Sequence, residues 1–137
     1  MSDRSFFDTN VLVYTDDASS PAKKQRALEL LEEERRSGTG VLSTQVLVEY
    51  FSAATRKLGV DPRIASRKVE LFARFQVVLL DVELIQRAIE LHRLHSISIC
   101  DALVVRAAQA ARCRVLYTEN LQTGWRPEGL AVVNPFR

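Results

Sequence analysis

The chain has 137 residues, of which 47% are hydrophobic and 26% are charged, and its formal net charge is +2. These values are typical of one globular domain, residues 1–137, with a real core. The sequence also excludes a membrane-spanning helix, because no apolar run approaches the roughly 20 residues that such a helix needs. The N-terminus does not resemble a signal peptide, so we expect a cytoplasmic protein without a membrane partner. The small net charge permits a nucleic-acid partner but does not indicate one.

Apolar periodicity, helix caps and glycines divide the chain into short strands and longer helices. Ser20 and Pro21 are a cap residue followed by proline at the first helical position, and Asp61 and Pro62 repeat this pattern. The predicted elements are a strand at 6–7, a short helix at 10–14, a helix over 21–37, a strand at 41–42, helices over 44–58 and 62–75, a strand at 77–80, helices over 81–95 and 98–112, and strands at 115–117 and 131–133.

The alternation of strands with helices predicts an α/β fold with helices on both faces of a mostly parallel sheet. Residues 77–80 are apolar throughout, so we expect this strand to be covered on both sides. The two cysteines, Cys100 and Cys113, are too few to indicate a disulfide framework in a chain of this size. We expect both to be reduced thiols in or near the core.

Three carboxylates interrupt apolar segments of the sequence: Asp8, Glu49 and Asp101. Asp8 follows the first predicted strand, and in open α/β sheets the carboxyl ends of the strands form the ligand-binding edge. An ionised carboxylate is rarely tolerated in apolar surroundings unless it is paired, hydrogen-bonded or bound to a metal. We therefore hypothesise that the three acids converge on one cation. Oxygen ligands with little histidine suit Mg²⁺ or Mn²⁺ rather than zinc, and such sites typically act on phosphates.

Each of the three acids also has a structural explanation that the sequence leaves open. Asp8 could form a turn, and Asp101 could complete a capping box with Ser98. Glu49 lies well inside a predicted helix, where it could face solvent or pair with Arg56.

Other candidate groups are weaker. Asp81 also interrupts an apolar run, but an aspartate between a strand and a helix is typical of an N-cap. His92 and His95 are spaced as metal ligands on one helix, yet no cysteine or third histidine is placed to complete a zinc site. Nucleophile-elbow, phosphate-loop, dinucleotide and CxxC motifs are absent from the sequence, which leaves carboxylate chemistry.

Four segments carry a resemblance to a known family. They are 7–12 (Phe-Asp-Thr-Asn-Val-Leu), Glu49, 98–103 (Ser-Ile-Cys-Asp-Ala-Leu) and 116–124 (Leu-Tyr-Thr-Glu-Asn-Leu-Gln-Thr-Gly). In this order and at this spacing they resemble the motifs of a PIN domain, specifically a VapC-type toxin ribonuclease. The resemblance implies a PIN-like three-layer α/β/α fold with a central five-stranded, mainly parallel sheet. It also implies a homodimer, Mg²⁺- or Mn²⁺-dependent cleavage of RNA, and a cognate VapB-type antitoxin whose C-terminal segment occupies the toxin's groove.

The family's motifs transfer to individual residues of this chain. Its three acids match Asp8, Glu49 and Asp101, and its supporting polar positions match Thr9 or Asn10, Ser98 and Thr118. The sequence departs from the family where many members carry a fourth acid. This chain has Asn120 there, with Glu119 one residue earlier, and an amide brings no charge to hold a second metal.

The resemblance also implies a mechanism, in which Asp8 and Asp101 hold the metal and Glu49 binds it directly or through water. A metal-activated water then attacks the phosphodiester in line and leaves 5′-phosphate and 3′-OH ends. Two alternatives remain open at this point: a non-catalytic binding protein on the PIN fold, and a metal-dependent phosphohydrolase or phosphoacceptor domain. The candidate RNA-binding residues are Arg56, Lys57, Arg63, Arg67, Lys68, Arg112 and Arg114.

The helices over 21–37 and 44–58 carry more leucines, valines and aromatics than one small core can hide. Exposed apolar patches mark partner surfaces, so we expect these helices to bind a second copy or the antitoxin.

Overall fold

The computed structural model describes residues 2–137, and each predicted strand and helix is present in it. The elements are β1 Ser5–Phe7, α1 Thr9–Tyr14, α2 Pro21–Ser37, β2 Gly40–Ser43, α3 Thr44–Arg56, α4 Pro62–Phe72, β3 Gln76–Val78, α5 Val82–His95, α6 Ile99–Ala110, β4 Val115–Tyr117, a 3₁₀ turn at Pro127–Gly129, and β5 Ala131–Val133. All strands are parallel, in the order β3-β2-β1-β4-β5. The expected five-stranded α/β fold is confirmed.

The strands are added to the sheet first on one side of the central strand β1 and then on the other. From β1 the chain moves outward through β2 to β3, and it then returns to the other side of β1 to form β4 and β5. Phe7 pairs with Tyr117 at the carboxyl ends of β1 and β4. Asp8 and Thr118 follow directly, so they lie at the point where the strand order reverses. Ligands of open α/β sheets bind at such a point.

Right-handed crossovers place α1 to α4 on one face of the sheet and α5 and α6 on the other. The helix packing agrees, because α1 contacts α2 and α3, α3 contacts α4, and α5 contacts α6. The sheet contributes side chains that are completely buried, among them Phe6, Phe7, Leu42 and Leu116. Burial on both faces explains why β1 and β2 read as continuous apolar segments.

A polar network joins α1, α3 and α4 inside the helical layer. The buried Tyr50 donates its hydroxyl hydrogen bond to Asp16 over 2.6 Å. Lys68 donates to Asp16 over 2.8 Å and to Thr15 over 2.6 Å, and its ammonium also lies near the rings of Tyr50 and Phe72. Because each polar group in this network has a partner, burying it does not leave an unpaired charge.

Ser20 precedes α2 as predicted but makes no side-chain capping hydrogen bond, whereas Asp61 accepts one from the N–H of Arg63 at the start of α4. Ser43, Ser98 and Asp81 each accept a hydrogen bond from a backbone N–H in the first turn of α3, α6 and α5 respectively. Three helices are shorter than predicted, since α3 ends at Arg56, α4 at Phe72 and α6 at Ala110. Beyond α3 and α4, apolar residues pack on the core from a loop, which periodicity alone does not distinguish from another helical turn.

The prediction for the 77–80 strand was wrong in its burial. β3 comprises Gln76–Val78 and lies at the edge of the sheet, and Leu79 beyond it is 70% exposed. Gly40 is the first residue of β2. A Cβ atom on Gly40 would lie 2.3 Å from the ring of Phe75, so glycine is required by this close approach.

Exposed apolar side chains are not concentrated on the two helices that were expected to carry them. On α2 and α3 the large exposed ones are Leu28 and Val48. The others lie mainly on α4, on α5 and just before α5: Ile64, Leu71, Leu79, Val82, Ile85, Ile89, Leu94 and Ile99. Cys113 is buried as expected, whereas Cys100 is exposed and both are free thiols. Across residues 2–137, no helix has the length and apolar character of a membrane span.

Candidate active site

Asp8 lies at the carboxyl end of β1, where it caps α1, and it is only 3% exposed. Its Oδ1 accepts a hydrogen bond from the N–H of Thr9 over 2.7 Å, and its Oδ2 accepts one from the hydroxyl of Thr118 over 2.7 Å. The pKa of Asp8 is raised from 3.8 to about 6, chiefly by burial; the two hydrogen bonds partly offset the rise, and the charges of Asp101 and Glu49 add to it. Asp8 is therefore a buried acid that is still mostly ionised at neutral pH.

Glu49 reaches the same region from α3. Its Oε1 accepts a hydrogen bond from the hydroxyl of Thr9 over 2.7 Å, and its Oε2 accepts one from the amide of Gln45 over 3.3 Å. Thr9 thus contacts two acids, because its N–H binds Asp8 while its hydroxyl binds Glu49. The pairing with Arg56 that the sequence left open is not formed, since neither oxygen of Glu49 contacts a basic side chain in residues 2–137.

Asp101 is in the first turn of α6, which lies on the other face of the sheet. Its N–H donates to the hydroxyl of Ser98 over 3.0 Å, as expected for a capped helix start. Burial raises the pKa of Asp101, Ser98 lowers it, and the charge of Glu49 raises it, with a net shift upward. The helix cap explains Ser98 but not the carboxyl group, which is partly buried beside another acid.

The three carboxylates share one electrostatic environment without a positive side chain in it. None of the ion pairs formed within residues 2–137 includes Asp8, Glu49 or Asp101. Within residues 2–137, no three side chains of Asp, Glu, His or Cys lie close enough together, in their present positions, to enclose a metal ion. A divalent cation nevertheless fits the donor set chemically, because it would supply the missing positive charge and bind hard carboxylate oxygens. The carboxylates would have to move together on binding it.

The family comparison decides what kind of domain carries this site. The PIN domain family model matches residues 5–122. The chain belongs to the PIN-domain family. The matched segment contains all three acids, together with Thr9, which links two of them, so the resemblance seen in the sequence is confirmed at the level of the family.

Solved structures show the same fold at low sequence identity. Mycobacterium tuberculosis VapC20, described as a toxin that cleaves the sarcin–ricin loop, is 20% identical with a TM-score of 0.72, and the match covers 85% of this chain and 89% of that one. A toxin–antitoxin complex from Klebsiella pneumoniae is 20% identical with a TM-score of 0.70, and the match covers 96% of this chain and 97% of that one. VapBC2 from Rickettsia felis, bound to a promoter DNA fragment, is 20% identical with a TM-score of 0.68, and the match covers 95% of this chain and 97% of that one. A comparison with curated protein sequences found no significant match.

Glu119 and Asn120 differ sharply in their surroundings in this PIN domain. Glu119 accepts hydrogen bonds from the hydroxyl of Tyr14 and from Lys23, whose Nζ lies 3.1 Å from Oε2. Asn120 is exposed, and its backbone N–H donates to the hydroxyl of Thr118 over 3.1 Å. The charge of Glu119 is therefore already compensated by Lys23, whereas the side chain of Asn120 is open to solvent.

A cleft of about 870 Å³ extends along α3 from Glu49, whereas Asp8 and Asp101 do not line it. Two basic side chains, Arg56 and Lys57, line it together with Thr9, Asn10, Glu49 and Asn120. The structure places the other candidate RNA-binding residues elsewhere. Arg63, Arg67 and Lys68 contact Asp61, Glu70 and Asp16 respectively.

Arg112 and Arg114 are also remote from the acids. They immediately precede β4, and the N–H of Arg114 donates to the carbonyl of Arg4 just before β1. In a parallel sheet this is the amino-terminal edge, opposite the one that carries Asp8. Among the candidate RNA-binding residues, Arg56 and Lys57 are therefore the two that line the cleft beside Glu49.

Sequence reasoning missed two residues in contact with Glu49, namely Cys100, through its thiol, and Gln45. Gln45 lies one helical turn before Glu49 on α3, and its amide contacts both Glu49 and the carbonyl of Cys100. The spacing of four residues was a signal that could have found the first contact. The second contact joins positions 55 residues apart, so no local pattern could have indicated it.

Proposed function

We propose that this PIN domain is a Mg²⁺- or Mn²⁺-dependent endoribonuclease whose catalytic acids are Asp8, Glu49 and Asp101. The observation that carries the proposal is the buried Asp8, which lies at the ligand-binding edge of the sheet beside two further carboxylates without a basic partner in residues 2–137. A structural role would not require three unpaired acids to share one site, since their mutual repulsion destabilises the fold. A role in binding a cation accounts for their arrangement.

Asp8 and Asp101 would hold the divalent ion, and Glu49 would bind it directly or through water. The bound ion would supply positive charge that stabilises the phosphate in the transition state and acidifies a water molecule. The N–H of Thr9 and the hydroxyl of Thr118 keep Asp8 in the ionised form that a cation requires. The hydroxyl of Thr9 orients Glu49 towards the same place. Asn10, whose amide lies 3.4 Å from both Asp8 and Thr118, supports this cluster.

Arg56 and Lys57 would bind the RNA backbone beside the scissile bond. Arg56 follows Glu49 by two helical turns, which is about 10 Å along α3. Because both basic residues line the cleft and neither forms an ion pair within residues 2–137, they are available to phosphates. Replacing Arg56 with Gln should weaken RNA binding and reduce its dependence on salt, whereas Arg63→Gln, a change outside the cleft, should leave both unchanged.

We further propose that the protein is the toxin of a toxin–antitoxin pair with a VapB-type antitoxin. The support is that the similar structures include a VapC toxin and two toxin–antitoxin assemblies, which share this fold over most of their length. Expression of the wild-type chain should then arrest growth, and co-expression of a small protein encoded immediately upstream should relieve the arrest. Growth arrest that Asp8→Asn also produces would argue against a toxic nuclease activity.

We also propose that the protein is a homodimer, formed through a different surface from the one expected. Val82, Ile85 and Ile89 lie on one side of α5 at spacings of three and four residues, and each is at least 37% exposed. Exposed apolar stripes of this kind mark partner surfaces. Light scattering at micromolar concentration should give the mass of a dimer, and Ile85→Glu should reduce it to that of a monomer.

Cleavage of RNA by the purified protein tests the enzymatic proposal. Wild-type protein should cut RNA in Mg²⁺ or Mn²⁺ and should stop cutting in EDTA. Asp101→Asn keeps the size of the side chain and should lower the rate by orders of magnitude while circular dichroism shows the fold intact. The absence of cleavage with either metal would favour the non-catalytic binding protein. Incorporation of phosphate into an acid-stable, hydroxylamine-labile acyl phosphate would favour the phosphoacceptor domain.

A further inference from the structure

Gln45 connects two of the elements that carry the acids. Its side-chain amide nitrogen donates to Oε2 of Glu49 over 3.3 Å and to the backbone carbonyl of Cys100 over 3.1 Å. Cys100 immediately precedes Asp101 in the first turn of α6. One amide group therefore links α3 on one face of the sheet to the amino end of α6 on the other.

The orientation of this amide is fixed by its partners. A carboxylate and a backbone carbonyl only accept hydrogen bonds, so the nitrogen of Gln45 must face both of them. The amide oxygen, Oε1, is then buried without a hydrogen-bond partner. A buried acceptor without a partner destabilises the fold, and each such group calls for an explanation.

We infer that Gln45 is a positioning residue that holds Glu49 beside the amino end of α6, so that Glu49 and Asp101 are close enough to bind one divalent cation together. The inference rests on the proposed function, because it concerns the same metal site. Two like charges repel each other, and α3 and α6 approach the site from opposite faces of the sheet. The amide of Gln45 opposes this separation, since it is tied to Glu49 at one hydrogen and to α6 at the other.

Gln45 differs in this respect from Thr9, another partner of Glu49. The hydroxyl of Thr9 links Glu49 to the end of β1, where Asp8 lies, but it makes no contact with α6. The thiol of Cys100, in the first turn of α6, also contacts Glu49, but a thiol is a weak hydrogen-bond donor. Without Gln45, Glu49 would keep its position relative to Asp8 and would be held less firmly relative to Asp101. The unpaired oxygen of Gln45 is consistent with a residue retained for the site rather than for stability.

Calorimetric titration of the purified protein with MnCl₂ tests the inference. Gln45→Met keeps the length of the side chain and removes both hydrogen bonds, and Gln45→Asn keeps the amide on a shorter side chain that cannot span both partners. Gln25→Met is a matched control, because Gln25 donates to Glu29 over 3.0 Å at the same four-residue spacing on the exposed face of α2. Loss of a group that orients a metal ligand typically weakens metal binding roughly 10- to 100-fold.

We expect both Gln45 variants to bind Mn²⁺ at least tenfold more weakly than wild type and Gln25→Met to bind it as wild type does. Thermal unfolding without metal should be nearly the same for all four proteins. Raising the Mn²⁺ concentration should restore RNA cleavage by the Gln45 variants, because their catalytic acids are intact. Wild-type affinity in Gln45→Met or, should that variant not fold, in Gln45→Asn would overturn the inference and leave the proposed function standing. Absence of Mn²⁺ binding to wild type would overturn both.

Discussion

Replacing Asp8 with asparagine should stabilise the metal-free protein while abolishing its activity. The Asp8 carboxyl holds its proton more tightly in the folded protein, where its pKa is about 6, than in the unfolded chain, where the value is 3.8. Between these pH values the folded state binds more protons than the unfolded state does, so its stability falls as the pH rises through this window. Above pH 6 the full destabilisation by the buried charge is present. Asparagine removes that charge without changing the size of the side chain.

The pKa values set the magnitude of the effect. A rise from 3.8 to about 6 is roughly two pKa units, which corresponds to about 3 kcal/mol at neutral pH. Asparagine keeps an oxygen for the N–H of Thr9 but weakens the contact with Thr118, which costs about 1 kcal/mol. The net gain in the free energy of unfolding should be about 2 kcal/mol at pH 7. Below about pH 4 the electrostatic part is lost, and the cost of the weakened contact with Thr118 remains.

Urea unfolding of wild type and Asp8→Asn at pH 7 and pH 4, with EDTA and then with Mn²⁺, measures this gain. The advantage of Asp8→Asn should shrink at pH 7 when Mn²⁺ is present, because the cation stabilises only the wild-type carboxylate. Equal stability of the two proteins at pH 7 in EDTA would refute the electrostatic reasoning. A variant less stable than wild type at pH 7 in EDTA would show that Asp8 serves chiefly as the cap of α1.

Four further substitutions follow from particular contacts. Asn120→Asp should tighten Mg²⁺ binding and lower the Mg²⁺ concentration for half-maximal cleavage, whereas Glu119→Gln should change neither, since Lys23 already compensates that charge; loss of cleavage in Glu119→Gln instead would identify Glu119 as the fourth acid. Lys68→Met should lower the free energy of unfolding in urea by about 2 kcal/mol, because it leaves a partly buried aspartate unpaired. Gly40→Ala should destabilise by about 1–3 kcal/mol in the same assay, and wild-type stability would mean that the adjacent aromatic ring moves aside without strain.

The sequence predicted the order of the elements because their signals are local. Caps such as Asp81 and Ser98 satisfy backbone groups within the next turn, so the residue types alone located those helix starts. The burial of β3 could not be predicted in the same way. An apolar run such as 77–80 reads alike in a central strand and an edge strand, and its place at the edge depends on how the whole sheet is ordered.

The acids of the candidate site could be predicted because they are charged residues inside apolar segments of the sequence. Asp8 and Asp101 could be selected because a carboxylate in an apolar segment needs an explanation. The contacts that orient the acids could not be selected, since they join distant positions: Thr9 reaches Glu49 across 40 residues, and Gln45 reaches Cys100 across 55. The same holds for Lys68, which was expected to bind RNA and instead closes a polar network in the helical layer.

The chemical nature of the RNA ends is the most direct test of the claim that these carboxylates and a divalent ion cut RNA with water. A single-stranded RNA would be incubated in Mn²⁺ with wild type and with Asp8→Asn, and its cleaved ends would be identified by mass spectrometry. The account predicts 5′-phosphate and 3′-OH ends from wild type and a rate lower by orders of magnitude from folded Asp8→Asn. Cyclic 2′,3′-phosphate ends, or equal cleavage by the two proteins, would contradict it.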